Sequence, residues 1–201
     1  MKIGITLNEV LRSFIEQLTY TYNKYVEDSN LKESDITNFN LVEFFNFENK
    51  DRLNTFLYSE APLEIFGHAD QMSDGLINQF NDFLMEMEYE EEHEIILVSR
   101  EVNKSIPATL FFLSKTGARP TNIKFVKNYE DEWDGVDVLI TANPIALSAK
   151  PEDKISIKIK TNYNSESKGD FELDSILEFF KDKELRKNIL TKPIITNFEN
   201  I

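Results

Sequence analysis

The chain has 201 residues and a formal net charge of −14, with 36 acidic residues against 22 basic ones. A field of that sign repels phosphate backbones and argues against sequence-independent nucleic-acid binding. Hydrophobic residues make up 41% and aromatic residues 12%, enough to fill a sizeable core, and the lack of cysteine excludes a disulfide framework and thiolate metal sites.

The first apolar run is interrupted at Thr6, so no signal peptide is expected, and no run approaches the roughly 18 apolar residues that span a membrane. A reducing, cytoplasmic setting is the expectation. Residues 2–7 read as a short buried strand. From Glu9 to Asp28, Val10, Leu11, Phe14, Leu18, Tyr22 and Tyr25 recur at helical spacing, with Asn8 as N-cap and Glu9 in the first turn. Residues 31–66 change character, becoming rich in Phe and Asn, with a helical stretch at Asn49–Leu57. They read as a small insert. The expected division is a core of 1–30 and 67–185, the insert at 31–66, and a loosely attached tail at 186–201.

Ser73–Tyr89 is helical, with Leu76, Phe80, Phe83, Leu84 and Met87 on one face. "EIILVSR" (Glu94–Arg100) is a continuous apolar run of the kind buried on both faces of a parallel sheet. Ser105 opens a helix that tolerates Pro107 in its first turn and stops at Gly117. "NIKFV" and "VDVLIT" are strands. "KISIKIK" alternates and reads as a lysine-blunted edge strand. Glu172–Asn188 is predicted as one closing helix.

Alternating strands and helices predict an α/β fold: a mostly parallel sheet with helices on both faces. Ligands of such sheets bind beyond the carboxyl ends of the strands. Those ends carry Thr6–Asn8, Ser99–Arg100, the turn after Val126, and Thr141–Asn143. Phosphate-loop, dinucleotide-binding, zinc-protease and nucleophile-elbow motifs are all missing. The acidic runs at Glu86–Glu94 and Glu130–Asp134 read as solvated surface, with a divalent cation or basic partner as the alternative.

The strand ends in order resemble the haloacid dehalogenase-like (HAD) superfamily, within it the 5′-nucleotidase-like phosphatases, including versions carried by large DNA phages. "IGITLNEVLRSF" looks like their first motif, a strand ending in D-x-D. "IILVSR" looks like the second, and "VDVLITANPIAL" like the fourth. The resemblance implies a three-layer Rossmann-like core with a small cap after the first helix. It also implies what is missing. Thr6 stands where the family has its aspartate nucleophile and Asn8 where it has its acid/base. Thr141 and Ala142 replace the magnesium-binding aspartates. Of the family's phosphate contacts, Ser99 and a lysine remain, Lys127 fitting best ahead of Lys124 and Lys115. Ser99, Lys127 and the adjacent Arg100 are therefore the candidate phosphate or ligand contacts.

The resemblance thus implies a catalytically inactive binding, structural or regulatory module with no metal and no cofactor. The alternative is an active phosphatase with magnesium and a rearranged site, using carboxylates of the insert or Asp131 and Asp134. A threonine nucleophile would need a base, and His68 and His93 are the two imidazoles. Thr6 otherwise serves as a strand-end hydroxyl, and Ser99 as a turn or cap residue. Arg12 is expected to pair with acids of the insert or to reach the pocket mouth. A small phosphorylated ligand and a protein partner or second copy are the expected partners, the latter docking on Phe39, Phe44, Phe45 and Phe47. A phage origin would place the protein in host cytoplasm or on a virion.

Overall fold

The computed structural model describes residues 1–89 and 91–191. Its six strands form one all-parallel sheet: β1 (Lys2–Thr6), β2 (Glu94–Arg100), β3 (Asn122–Val126), β4 (Val138–Thr141), β5 (Ile155–Ile159) and β6 (Phe171–Leu173). The order across the sheet is β3-β2-β1-β4-β5-β6, that of a doubly wound Rossmann-like fold. The direction of winding reverses between β1 and β4. All of β4 and β5 is buried, which is why their sequences are apolar on both faces.

Helices α1 (Phe14–Tyr25), α2 (Lys50–Thr55), α3 (Leu76–Tyr89), α4 (Ser105–Thr116), α5 (Pro144–Ser148), α6 (Ile176–Lys181) and α7 (Lys183–Leu190) complete the fold. One sheet face, carrying Ile3, Ile5, Leu97, Ile140 and Ile157, packs against α3 and α6. There the Phe83 and Phe180 rings stack at 4.5 Å. On the other face Leu139 meets Trp133 and Ala146, and the Trp133 indole N–H donates to the Ala146 carbonyl at 2.7 Å. Gly4 sits tightly in the middle of β1, where a Cβ would lie 3.0 Å from the Leu139 and Val136 side chains.

Between α1 and α3 the chain makes a helical excursion. It has 3₁₀ turns at Glu33–Asp35 and Leu41–Glu43, then α2, then π-helical turns at Phe56–Glu60 and Leu63–Gly67. Its aromatic residues form a second cluster against α1. Tyr22 meets Phe45 edge-on at 5.0 Å and Phe47 at 5.5 Å. Of the four phenylalanines expected to dock a partner, this packing removes Phe45 from the surface. Phe45 is wholly buried, Phe39, Phe44 and Phe47 are partly buried against the same cluster, and none of the four is exposed.

Several predicted elements shift. Glu9 adopts a left-handed conformation, φ 60°, so no helix starts at Asn8; residues 7–13 coil back and α1 begins at Phe14. "KISIKIK" is not an edge strand: β5 lies inside the sheet and β6 forms the edge. Lys158 is buried because its ammonium donates to the Ser167 carbonyl and pairs with Glu172. The predicted closing helix contains β6, a Ser175–Glu178 capping box, and a break at Asp182, which caps α7. Arg186 and Ile189 are buried, so the ordered core continues past 185, while 192–201 of the expected tail lie outside the described residues. Among the described residues no helix is long and apolar enough to cross a membrane.

Candidate functional site at the strand ends

The reversal between β1 and β4 splays the two strands' onward chains apart, and ligands of open α/β sheets enter at such a point. Here the gap is closed by hydroxyls. Thr6 Oγ1 donates toward Thr141 Oγ1 at 3.2 Å and the Ile140 carbonyl at 3.4 Å. Thr141 Oγ1 in turn accepts from the Asn143 amide at 3.1 Å. Ala142 is fully buried, and its carbonyl accepts from Asn164. Asn143 caps α5 through Ile145 N–H. Thr6 is therefore a strand-end hydroxyl tied to its neighbours. Neither histidine approaches it: His93 bonds the amino terminus at the opposite end of the sheet, and exposed His68 lies against Phe111.

Asn8 is bound to Arg12. Its Oδ1 accepts from Arg12 Nε at 2.9 Å and Nη2 at 2.6 Å. Arg12 also donates to Thr109 Oγ1 at 2.7 Å, to the Phe66 carbonyl at 3.2 Å, and to Glu101 in a fully buried ion pair. The Phe66 and Phe112 rings flank the guanidinium. Ser99 donates to the same Glu101 oxygen at 2.9 Å. The expected pairing of Arg12 with the insert's acids is thus replaced by an acid that follows β2 directly.

The lysine expectation fails for geometric reasons. Lys127 is exposed and its side chain does not line the cleft; only its carbonyl takes part, accepting from Arg100 Nε at 3.0 Å. Lys124 donates to the Asp131 and Asp134 carbonyls, and Lys115 to those of His68 and Ala69. The cation in the cleft is Arg100. Its Nη1 donates to Tyr58 Oη at 2.7 Å and Tyr129 Oη at 3.5 Å, and its guanidinium lies 4.4 Å from the Tyr129 ring centre.

These residues line a cavity of about 60 Å³ with Thr6, Asn8, Ser99, Glu132, Asn143 and Tyr163 in its wall. It adjoins a groove of about 330 Å³ between the excursion and the sheet, lined by Leu53, Asn54, Lys50 and Ile145 among others. Asp131 and Asp134, the carboxylates expected to serve a displaced site, do not line either space; Glu132 between them does. Its Oε1 accepts from Asn143 Nδ2 at 3.4 Å and its buried Oε2 has no partner. Burial pushes the Glu132 carboxyl up to about 8, and burial likewise pushes Glu9 up to about 7. Desolvation raises Tyr58 and Tyr129 and takes Tyr163 well above the usual phenol value, so all three stay neutral.

This donor set does not fit magnesium, which favours one or two hard carboxylates in an octahedral shell. Glu132 is the sole acid in the wall and retains its proton at neutral pH, and Glu101 is held by Arg12 and Ser99. Among the described residues no group of three or more His, Asp or Glu could hold a metal ion. Sequence reading missed Glu101, Glu132, Tyr58, Tyr129 and Tyr163. Glu101 carried a signal in its place one residue beyond a strand end, and Glu132 lay in the acidic run read as solvated surface.

No protein-family model and no curated protein matches the chain. Among solved structures it is similar to one described as a dehalogenase with an intermediate complex. The identity is 10% and the TM-score 0.48, over 89% of this chain and 95% of that one.

Proposed function

We propose that the chain is a HAD-like scaffold of the 5′-nucleotidase-like, phage-encoded type, which binds a ligand at its strand-end cleft without hydrolysing phosphate esters. One observation carries this reading. The four positions where the resemblance places nucleophile, acid/base and metal ligands are Thr6, Asn8, Thr141 and Ala142, and each is bonded into the protein. Residues that act as a catalytic unit lose rate together, so four replacements leave little to reroute. The excursion at 31–66 then serves as a cap whose aromatic face closes one side of the cleft. Self-association through Phe39, Phe44, Phe45 and Phe47 is set aside because those rings pack inward.

The rival is an active phosphatase with a rearranged site. It would draw its acid from Glu132, the carboxyl in the cavity wall. A screen of nucleotides and small phosphate esters with magnesium or manganese separates the two. The expected outcome is no turnover. Turnover that disappears in Glu132→Gln or Arg100→Gln would overturn the proposal.

A further inference from the structure

Within a chain of net charge −14, the walls of the cavity and groove together carry two cations, Arg100 and Lys50, against one acid, Glu132. The local balance is opposite to that of the whole molecule. A cleft of one sign focuses the field toward ligands of the other. Arg100 has no carboxylate partner among the described residues. Its Nε and Nη1 are fixed by Lys127, Tyr58 and Tyr129, while Nη2 has no hydrogen-bond partner there. Asn8 offers a second free donor, since Arg12 occupies its Oδ1 and its Nδ2 has no partner. The third unsatisfied group is Glu132 Oε2, on a side chain 3% exposed. Arg100, Asn8 and Glu132 all line this one cavity, and the buried Glu132 Oε2 lacks a partner.

The cavity and groove share Phe39, Leu41, Leu57, Tyr58, Arg100 and Tyr129, so a single ligand can occupy both. The groove beyond Arg100 is mostly apolar, with Leu53, Val42 and Ile145 in its wall beside Asn40, Asn54 and Lys50. Resting on the reading of the cleft as a non-hydrolytic binding site, we propose that it takes a small monocarboxylate with an apolar tail. The carboxylate sits against Arg100 and Asn8, and the tail lies in the groove beside Leu53 and Ile145.

Charge decides between carboxylate and phosphate. In the cavity wall Arg100 stands without a second cation or metal-holding carboxylates, Lys50 lying in the groove beyond it, so the head-group site compensates one negative charge. A phosphate monoester brings close to two at neutral pH. The acid in the wall adds to the argument. Glu132 held neutral presents a hydroxyl donor to the carboxylate's second oxygen, a short charge-assisted bond. The 330 Å³ groove is at the lower end of the range for small-molecule sites, so the tail is short or medium in length.

The test is calorimetric titration of the full chain with a graded series of straight-chain monocarboxylates from acetate to decanoate. Octanamide and octyl phosphate serve as controls. Affinity should rise about fourfold per methylene until the groove is filled. Octanoate should bind at least tenfold tighter than octanamide or octyl phosphate. Arg100→Gln should lose at least tenfold for octanoate and little for octanamide, and Ile145→Asp should remove the gain with chain length. Equal binding of octanoate and octanamide by the unmodified protein overturns the proposal without any variant, as does the absence of binding at millimolar ligand. Preference for octyl phosphate overturns the ligand class and leaves the binding-module reading standing. Hydrolysis of octyl phosphate would sink that reading itself.

Discussion

Arg12 and Arg186 are both fully buried, yet they are solvated by the protein in different ways. A guanidinium has five N–H donors. All five of Arg12 are used, by Asn8 twice, Phe66, Thr109 and Glu101. Arg186 bonds the Phe179 and Phe180 carbonyls and pairs with Glu86 and Glu91, but its Nε has no partner. The acid facing Arg12 has a side chain 0% exposed, whereas those facing Arg186 are 18% and 33% exposed. Both sites hold a charge in the interior. Only at Arg12 is the counter-charge equally cut off from water, and there the arginine also binds Asn8 at the strand ends. The comparison teaches that the arginine at the strand ends anchors a fully buried polar cluster, while Arg186 is a clasp tying α7 to α3.

The largest effect should come from Arg12→Met. It leaves Glu101 charged, buried and unpaired, a loss of roughly 3–5 kcal/mol. For a chain of this size that lowers the melting temperature by about 6–20 °C. Adding Glu101→Leu should recover part of the loss, since a buried pair is often replaceable by apolar residues. Urea denaturation of both variants measures this. A loss below 1 kcal/mol for Arg12→Met would mean that the pair carries little net stability.

Glu132 is the intermediate case, a buried acid with no counter-ion bonded to it. Its carboxyl sits at about 8 in the folded protein against 4.5 when exposed, and Glu9 at about 7. Between pH 4.5 and these values the folded chain holds protons that the unfolded chain has lost. The contribution of these two groups is therefore fully present below pH 4.5 and is lost as pH rises toward 8. Glu132→Gln should flatten that fall by roughly 1.4 kcal/mol for each pH unit inside the window. Denaturant midpoints taken at each pH test it. A parallel pair of curves for variant and parent would show that Glu132 ionises freely when folded.

Arg186→Met should cost less than Arg12→Met, roughly 1–2 kcal/mol, because Glu86 and Glu91 can turn to solvent once released. Its effect should also shrink between 0.05 and 0.5 M salt, as screening reaches partly exposed pairs, while that of Arg12→Met should not. Equal salt dependence at the two sites would remove the distinction drawn between them.

The parallel sheet was legible in "EIILVSR", an apolar run that became the interior strand β2, and "NIKFV" became the edge strand β3, both with the predicted bounds. The failures share a cause, a local signal overridden by a distant partner. Asn8 looks like a helix cap, but Arg12 takes its side chain and Glu9 turns left-handed. Lys158 looks like an edge lysine, but Ser167 and Glu172 satisfy it inside the sheet. Lys127 stood at a strand end in sequence, yet Arg100, packed between two tyrosines from separate segments, is the cation in the cleft. Tyr58 and Tyr129 come from the helical excursion and the turn after β3, and no periodicity brings them together. The site's place could be read from topology, whereas its charge depended on contacts between residues far apart in the chain.

The smallest change in stability is predicted for Asn8→Asp, which restores the acid that the resemblance expects. Asn8 already presents an oxygen to two Arg12 N–H groups, so the introduced carboxylate keeps both bonds and strengthens them. Against this, one guanidinium now faces two acids, the new one and Glu101, and like charges close together disfavour ionisation of both. The opposing terms should leave the net change within about 1 kcal/mol, which a thermal melt resolves. No phosphate-ester hydrolysis should appear. An acid/base must give up and take back its proton at the reacting oxygen, and a carboxylate held through two N–H groups of the buried Arg12 is kept ionised. Turnover in Asn8→Asp, measured with magnesium on the same ester panel, would show that Arg12 releases its partner and that the strand-end site is one substitution from activity. A loss of more than 3 kcal/mol would show instead that the Arg12 cluster cannot share its charge, placing Asn8 among the residues that hold the fold.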